Sequence, residues 1–292
     1  MNYIRLRTLL LLLAMLISAS VIAQSSTPYT SYKRYNTGGQ LTGEIMPATL
    51  GTTTSYHQAR RYTYDAQGLL IRTDVGVLRS WLDESIFPAQ WEYYAPFEIA
   101  YELHASYDSW GRRILARTIK NGQVLKLVQY NYYDSGKIKC EAVRMNPATY
   151  SALPDACSPG SAGLDGPDRI TRYTYQDLDY IAKIEKAVGT EAAQTYVRYE
   201  YGAANRLKAE TDANGNRTEL TYDGKGRLQR MTFPSPTAQG SVNSADYEEY
   251  TYDTNNNRTK LRKRDGRSVT YEYDPLNRVS HKTPPVNEDI YY

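Results

Sequence analysis

Residues 211–228, TDANGNRTELTYDGKGRL, decide the fold, because they place two turn sequences on either side of one alternating strand. Tyr222-Asp223 opens the second turn, and a glycine follows three residues after the aspartate, which is the preference of a type I turn. The Asn-Gly pair within 212–215 marks the first turn and is a strong hairpin signal. Residues 218–222 alternate in polarity, as in a half-buried strand. This stretch therefore predicts two hairpins that share a strand.

The phrase Tyr-Asp-x-x-Gly-Arg-Leu recurs through the chain. Nine complete or degraded copies begin at Tyr35, Tyr64, Tyr107, Tyr133, Tyr175, Tyr201, Tyr222, Tyr252 and Tyr273. The clearest carry Tyr64-Asp65 with Gly68, Tyr107-Asp108 with Gly111, Tyr222-Asp223 with Gly226-Arg227, Tyr252-Asp253, and Tyr273-Asp274. The copy at Tyr133 reads as one residue short, and asparagine replaces the glycine at Asn205, Asn256 and Asn277. Two pairs of neighbouring copies are 21 residues apart, and a fixed period predicts a repeat architecture.

A second tight turn lies about halfway between phrases, as at Lys120-Asn121-Gly122 and Asp265-Gly266. Two turns in 21 residues leave about seven residues for each strand. The predicted fold class is therefore all-β, an antiparallel sheet of β-hairpin repeats that follows a signal helix at the N-terminus.

Tyrosine dominates the aromatic residues, with 29 Tyr against 3 Phe. Rows of tyrosine on adjacent strands pack across the sheet and tolerate a wet face. Structural packing is the preferred interpretation of these rows, and a platform on which sugars stack is the alternative.

The first 23 residues have the pattern of a secretory signal peptide. Arg5 and Arg7 form the charged start, Thr8–Ile17 is a short apolar core, and the segment ends in a small residue at Ala23. An uncleaved anchor is the alternative, although the apolar run is short for a membrane span. We expect export through the Sec route to the periplasm, cell surface or exterior, with residues 24–292 forming the repeat region.

The two cysteines, Cys140 and Cys157, bracket a proline-containing stretch that does not follow the repeat. Export permits a disulfide between them, and two free thiols remain the alternative. Two cysteines without a nearby histidine do not make a zinc site.

Three stretches interrupt the period, namely residues 74–103, 145–169 and 234–246. The first holds most of the large apolar aromatic residues, Trp81, Phe87, Trp91 and Phe97. This segment is interpreted as a plug against the sheet, with a partner-docking loop as the alternative. The other two stretches are interpreted as loops.

No catalytic or metal-binding pattern is present in the sequence. The histidines, His57, His104 and His281, lie far from one another in sequence and form no ligand pair. Asp253-x-Asn255-x-Asn257 imitates the start of a calcium loop but lacks the later glycine and glutamate. The net charge of +3, from 35 basic and 32 acidic residues, does not indicate binding to nucleic acid or to an anionic membrane. The sequence thus predicts neither an enzyme nor a cofactor or metal site.

Residues 211–228 and 267–278 (RSVTYEYDPLNR) resemble the consensus of the RHS/YD-repeat family, which includes bacterial RHS proteins and the similar repeats of animal teneurins. The resemblance extends over about residues 30–285. It implies a long sheet that spirals into a cocoon, which nine repeats would close only in part. Bacterial members often enclose a toxin at their C-terminus, and the residues after the last repeat in this sequence do not resemble such a segment.

The resemblance implies a secreted, non-enzymatic shell segment that acts in toxin encapsulation or at the cell surface. Its expected partners are further shell sequence or an enclosed toxin. The chain is then either a truncated fragment of a longer shell protein or a short secreted repeat module. The alternative function is a carbohydrate-binding module that uses exposed tyrosines, with glycans as ligands. An enzyme hidden in residues 74–103 is a third hypothesis.

Overall fold

The computed structural model describes residues 31–48, 56–83, 85–177, 179–285 and 290–291. The predicted signal peptide, residues 1–23, lies outside the described residues. Within them, no helix is both long and apolar enough to cross a bilayer.

The chain divides into two compact units, Met1–Leu127 and Val128–Tyr292. The first unit contains six strands, each paired antiparallel with the next. They are β1 (Tyr32–Tyr35), β2 (Leu41–Ala48), β3 (His57–Tyr64), β4 (Leu70–Leu78), β5 (Phe97–Tyr107) and β6 (Arg113–Lys120). A short 3-10 turn (Pro88–Gln90) and the one-turn helix α1 (Trp91–Tyr94) lie between β4 and β5. Strand β7 (Gln123–Tyr132) crosses the boundary between the units.

In the second unit each strand likewise pairs antiparallel with the next. Its strands are β8 (Ile138–Arg144), β9 (Arg169–Gln176), β10 (Tyr180–Lys186), β11 (Gln194–Tyr201), β12 (Leu207–Asp212), β13 (Arg217–Tyr222), β14 (Leu228–Pro234), β15 (Val242–Tyr252), β16 (Arg258–Arg262), β17 (Ser268–Tyr273), β18 (Val279–Thr283) and β19 (Ile290–Tyr291). A one-turn 3-10 segment covers Pro147–Thr149, whereas Ala203–Asn205 is a turn in which Ala204 and Asn205 have positive φ (57° and 54°). The predicted all-β fold of antiparallel hairpins is confirmed.

Two kinds of hairpin alternate in the repeats. Where a phrase forms the connection, the register shifts by one residue beside the phrase tyrosine, so that Tyr222 pairs with Leu228 but Thr221 pairs with Arg230. The hairpin between β12 and β13 and that between β16 and β17 keep an unbroken register. A one-residue bulge bends a strand and increases its twist. The connection at Tyr222 therefore adds a bend that the halfway connections between β12 and β13 and between β16 and β17 lack.

Fewer residues of the segment 74–103 depart from the sheet than the sequence indicates. Strands β4 and β5 continue the sheet at both ends of the segment, and only residues 79–96 leave it. Trp91 is fully buried in a cluster with Ile45, Ala59 and Phe97. A Cβ added to Gly43 would lie only 2.5 Å from Cγ of Pro88, so the sheet admits this segment closely because glycine stands there. These contacts favour the plug interpretation for Trp91.

The other two insertions differ from each other. In residues 145–169, a long loop packs on β8 and β9, and Cys140, Ala142, Ala156 and Ile170 form its buried cluster with Val188. In residues 234–246, β14 and β15 supply both ends, so the loop itself comprises only residues 235–241. The amide of Gly240 donates to the carbonyl of Gly215 at 2.8 Å, which ties this loop to the previous hairpin.

Candidate functional site

The Tyr-Asp phrase folds into a three-residue loop, and the copy that starts at Asp223 shows its geometry. The amide of Gly226 donates to the Asp223 carbonyl at 2.8 Å, and the amide of Asp223 donates to the Arg227 carbonyl at 2.9 Å. Gly226 has φ +82°, a conformation that glycine adopts without strain. These bonds are those of a type I turn followed by a left-handed residue, a common three-residue hairpin loop. Asn256 and Asn277 also have positive φ, so asparagine does replace glycine there as predicted.

The first-position aspartate holds each loop with one oxygen. Oδ1 of Asp223 accepts hydrogen bonds from the backbone amides of Lys225 and Arg227, both at 2.9 Å. The same pair of bonds forms at Asp65, Asp108, Asp212, Asp253 and Asp274. The Arg227 amide, supported by the Arg227 guanidinium, lowers the pKa of Asp223. The carboxylate is therefore ionised at neutral pH and belongs to the structure of the loop.

The halfway turns resolve into two types. At Asp212 and Lys263 the loop has three residues, with Gly215 donating to Asp212 at 3.0 Å and Gly266 to Lys263 at 2.9 Å. The hairpins predicted from Asn-Gly and Asp-Gly are confirmed at these positions, but each loop is one residue longer than that signal implies. A two-residue connection remains at Asn121-Gly122, where both residues have positive φ (51° and 76°).

The loop at Tyr133, predicted to be one residue short, has the same length as the other phrase loops. The amide of Tyr133 donates to the Lys137 carbonyl, and the amide of Gly136 donates to the Tyr133 carbonyl, both at 2.9 Å. Tyr133 thus occupies the position that aspartate fills elsewhere, and the preceding Tyr132 stands where the phrase tyrosine stands.

The tyrosines that open the phrases join one repeat to the preceding repeat through a hydrogen bond of the side-chain hydroxyl. The hydroxyl of Tyr222 donates to the carbonyl of Leu207, the residue just after the preceding loop, at 2.8 Å. Equivalent bonds join Tyr64 to Leu41, Tyr107 to Leu70, Tyr201 to Ile181, Tyr252 to Leu228 and Tyr273 to Arg258. The hydroxyl is needed because it satisfies a carbonyl beside the register shift. At these positions the structure favours packing over a sugar platform.

Arg227 connects neighbouring loops, a role that the sequence analysis did not identify. Its Nε donates to Asp223 Oδ2 at 2.7 Å, while its Nη1 donates to the Asp253 carbonyl at 2.8 Å and to Asn256 Oδ1 at 3.0 Å. Asn257 continues the pattern, donating from Nδ2 to Asn277 Oδ1 at 2.8 Å. The recurrence of a donor just after the glycine was the signal available in the sequence. In this unit the loops therefore form a hydrogen-bonded row.

Cys140 and Cys157 are brought together, with their sulfurs bonded and their Cα atoms 5.2 Å apart. Cys140 is fully buried and lies in β8, while Cys157 lies in the loop of residues 145–169. The disulfide fastens that loop to the sheet.

A buried ion pair holds the same loop from its other side. Arg144 donates from Nη1 to Asp168 Oδ2 at 2.7 Å, and also to the carbonyls of Pro154, Asp155 and Ser158 at 2.9–3.0 Å. Asp168 accepts two backbone amides at 2.8 Å as well. Burial opposes its ionisation, but these amides and Arg144 hold the pKa of Asp168 below its ordinary value. Because the carbonyls come from distant residues, no local sequence pattern indicates this role.

Each of the three histidines contacts a different neighbour. His104 Nε2 is 2.7 Å from Glu102 Oε2, His281 Nδ1 is 3.7 Å from Glu272 Oε1, and the ring of His57 packs edge-on against Trp81. Among the described residues, no group of three or more His, Cys, Asp or Glu side chains is placed to hold a metal ion. Asp253 is engaged by loop amides, so its calcium-like spacing reflects the loop geometry.

Residues 203–238 and 252–285 match the family model of the RHS repeat. These two segments are RHS repeats. They contain the phrases at Tyr222, Tyr252 and Tyr273, and the family resemblance drawn from the sequence is confirmed.

Two of the solved structures similar to this chain belong to much longer proteins. The crystal structure of TcdB2-TccC3-Cdc42 is 13% identical with a TM-score of 0.49, and the match covers 92% of this chain and 14% of that one. The Tc holotoxin pore of Photorhabdus luminescens is 14% identical with a TM-score of 0.49, covering 89% and 13%. No curated protein sequence matches significantly.

Proposed function

We propose that this chain is a non-enzymatic RHS-repeat shell segment of an exported protein, acting in toxin encapsulation or at the cell surface. The observation that carries the proposal is the sparse burial in the sheet of residues 194–285. Its only buried residues are Val197, Ala209, Thr232 and Val269. Stable domains bury a sheet face against a second layer, so a long sheet with so few buried residues is suited to covering something else.

The two faces of this sheet differ in chemistry. Cross-strand pairs align Leu220 with Met231 and Leu261 with both Tyr250 and Val269, which makes an apolar stripe on one face that Glu248, opposite Met231, interrupts. The other face carries a charged row, including Arg230, Glu249 and Arg262. An antiparallel sheet commonly packs its apolar face and leaves its polar face in water. We infer that the apolar stripe faces the enclosed partner.

The expected partner is further RHS shell sequence or an enclosed toxin. Export through the Sec route, guided by residues 1–23, would deliver the protein to the periplasm, cell surface or exterior. The second unit contains the Cys140–Cys157 disulfide, and such a bond is typical of an oxidising compartment.

Protease protection tests the shell function. The protein is purified from its native host together with whatever polypeptide accompanies or continues it, and digestion is followed by mass spectrometry. We expect a segment that resists digestion in the wild type and is cleaved in a Gly226→Val variant, whose loop is strained. Gly224→Val is the matched control, because a Cβ there meets open space. Equal cleavage in wild type and both variants would refute encapsulation, and turnover in a hydrolase screen would refute the non-enzymatic assignment.

Carbohydrate binding is a second candidate, favoured by exposed aromatic residues that take no part in the hydroxyl bonds. Phe87, Tyr93 and Tyr94 are 65%, 85% and 52% exposed and lie on the segment between β4 and β5. A glycan array with the wild type and with Tyr93→Ala and Tyr94→Ala tests it. Binding that survives both substitutions, or no binding at all, would remove this candidate.

A further inference from the structure

A groove in the first unit lies between the loop that starts at Asp65 and the loop that starts at Asp108. Its volume is about 1000 Å³, at the upper end of the range of ligand pockets. Its lining includes Leu69 and Ile71, with Arg72 and His104 also present. The groove is therefore bounded by two loops of the same repeat design.

Asp65 departs from the pattern of the other loops. In them the residue four positions after the aspartate donates a side-chain hydrogen bond to Oδ2, as Arg112 does at 2.6 Å and Arg227 at 2.7 Å. The corresponding residue after Asp65 is Leu69, and Oδ2 of Asp65 accepts no hydrogen bond from any described residue. Oδ1 is held by the amides of Gln67 and Leu69 at 2.9 and 2.8 Å. The Asp65 carboxylate is thus fixed in place with one oxygen open to a ligand.

The same exchange makes the wall of the groove aliphatic. Leu69 offers methyl groups at the position where other loops carry a charged arginine, and Ile71 adds further aliphatic surface. Trp110 stands between two residues that line the groove, and its side chain is 78% exposed. The Arg112 guanidinium lies 4.6 Å from the centroid of its ring, so a cation already stacks on this indole.

The other charged groups at the groove are neutralised locally. Arg72 Nε lies 2.6 Å from Asp74 Oδ1, and Arg72 Nη2 lies 3.5 Å from Glu102 Oε2. His104 contacts the same Glu102 at 2.7 Å. Because these carboxylates balance Arg72, the Asp65 charge is left to attract a cation.

We propose that this groove binds a lysine side chain of a partner polypeptide. The methylene stem would lie on Leu69 and Ile71, and the ammonium would donate to Asp65 Oδ2 beside the Trp110 indole. Lysine fits better than arginine, since guanidinium pairs with both carboxylate oxygens and Oδ1 is already occupied. This inference is independent of the shell function.

The test uses the full chain and acetylated, amidated five-residue peptides, Ala-Ala-X-Ala-Ala. The central residue X is lysine, arginine, norleucine or glutamate. Binding is measured from chemical-shift changes of the Leu69 amide and the Trp110 indole as each peptide is titrated. We expect the lysine peptide to bind most tightly, with an affinity about tenfold above that of norleucine, the difference expected for a charge-assisted hydrogen bond.

Three variants make the test specific. Asp65→Asn should lower the affinity for lysine to the norleucine level, and Leu69→Arg should abolish binding because it supplies the donor that other loops contain. Asp223→Asn, the equivalent change in the second unit, should leave binding unchanged. Equal affinity for lysine and norleucine, retained binding in Asp65→Asn or Leu69→Arg, or no shift with lysine would overturn the proposal. Preference for a neutral oligosaccharide over the lysine peptide would do the same.

Discussion

Two glycines in one loop provide the sharpest test of the repeat geometry. Gly226 has φ +82°, whereas Gly224 has no such conformation. A Cβ at Gly226 would lie 2.1 Å from Nη2 of Arg206, and a Cβ at Gly224 would meet no atom within 4 Å. The two positions therefore separate the conformational requirement from simple loss of glycine.

The magnitudes follow from these geometries. Alanine at Gly226 takes on a left-handed backbone that costs about 1–3 kcal/mol. Displacing the flexible end of Arg206 adds only a small further cost. Alanine at Gly224 restricts the unfolded chain and stabilises by about 0.4–1 kcal/mol. The free energies of unfolding of the two variants should thus differ by roughly 1.4–4 kcal/mol.

Urea denaturation of both variants and the wild type measures this difference, through a shift in midpoint at constant slope. Gly226→Asn should fall between wild type and Gly226→Ala, because Asn256 and Asn277 already adopt φ 70° and 60° at the same loop position. Equal midpoints for the two alanine variants, or an asparagine variant less stable than the alanine variant, would refute the loop assignment.

Three further outcomes are expected. Tyr222→Phe removes the hydroxyl bond to the preceding repeat and should lower the free energy of unfolding by about 1 kcal/mol, measured by denaturant titration; an unchanged midpoint would mean that this bond does not stabilise the array. The free energy of unfolding should fall as pH drops below the unfolded aspartate pKa of about 4, because the loop amides lower the folded pKa of Asp223. It should also fall as pH rises from about 10 to about 12, because burial and a carboxylate partner raise the pKa of Tyr250 to about 12. Thermal scans that stay flat in both windows would contradict this. Reducing the Cys140–Cys157 bond should cost about 3 kcal/mol in the second unit, and mass spectrometry that finds two alkylatable thiols without reductant would show that the bond is absent.

Much of the fold was accessible from the sequence, because its determinants are local. An aspartate followed three residues later by glycine encodes a loop through bonds that all lie within five residues, as at Asp223 and Gly226. Strand alternation between loops is equally local. The halfway turn at Asp212 was harder, because an Asn-Gly pair indicates a two-residue turn while the aspartate side chain stabilises a three-residue one.

The candidate sites were less accessible, because they depend on residues far apart in the chain. The groove exists only where the loops at Asp65 and Asp108 meet beside paired strands, and the sequence shows only that Leu69 breaks the donor pattern. No sequence pattern indicated the role of Arg144, because three of its hydrogen-bond partners are backbone carbonyls of a loop without regular structure.

The repeat, the loop conformation and the all-β class could be read from the sequence, since hydrogen bonds between near neighbours specify them. Which surfaces are covered became apparent from the folded structure alone. The tertiary structure buried Trp91 against Ile45 and Ala59, joined Cys140 to Cys157, and buried only Val197, Ala209, Thr232 and Val269 within residues 194–285. Burial depends on which strands pair and on what packs over them, and strand order brings together residues that no local pattern relates.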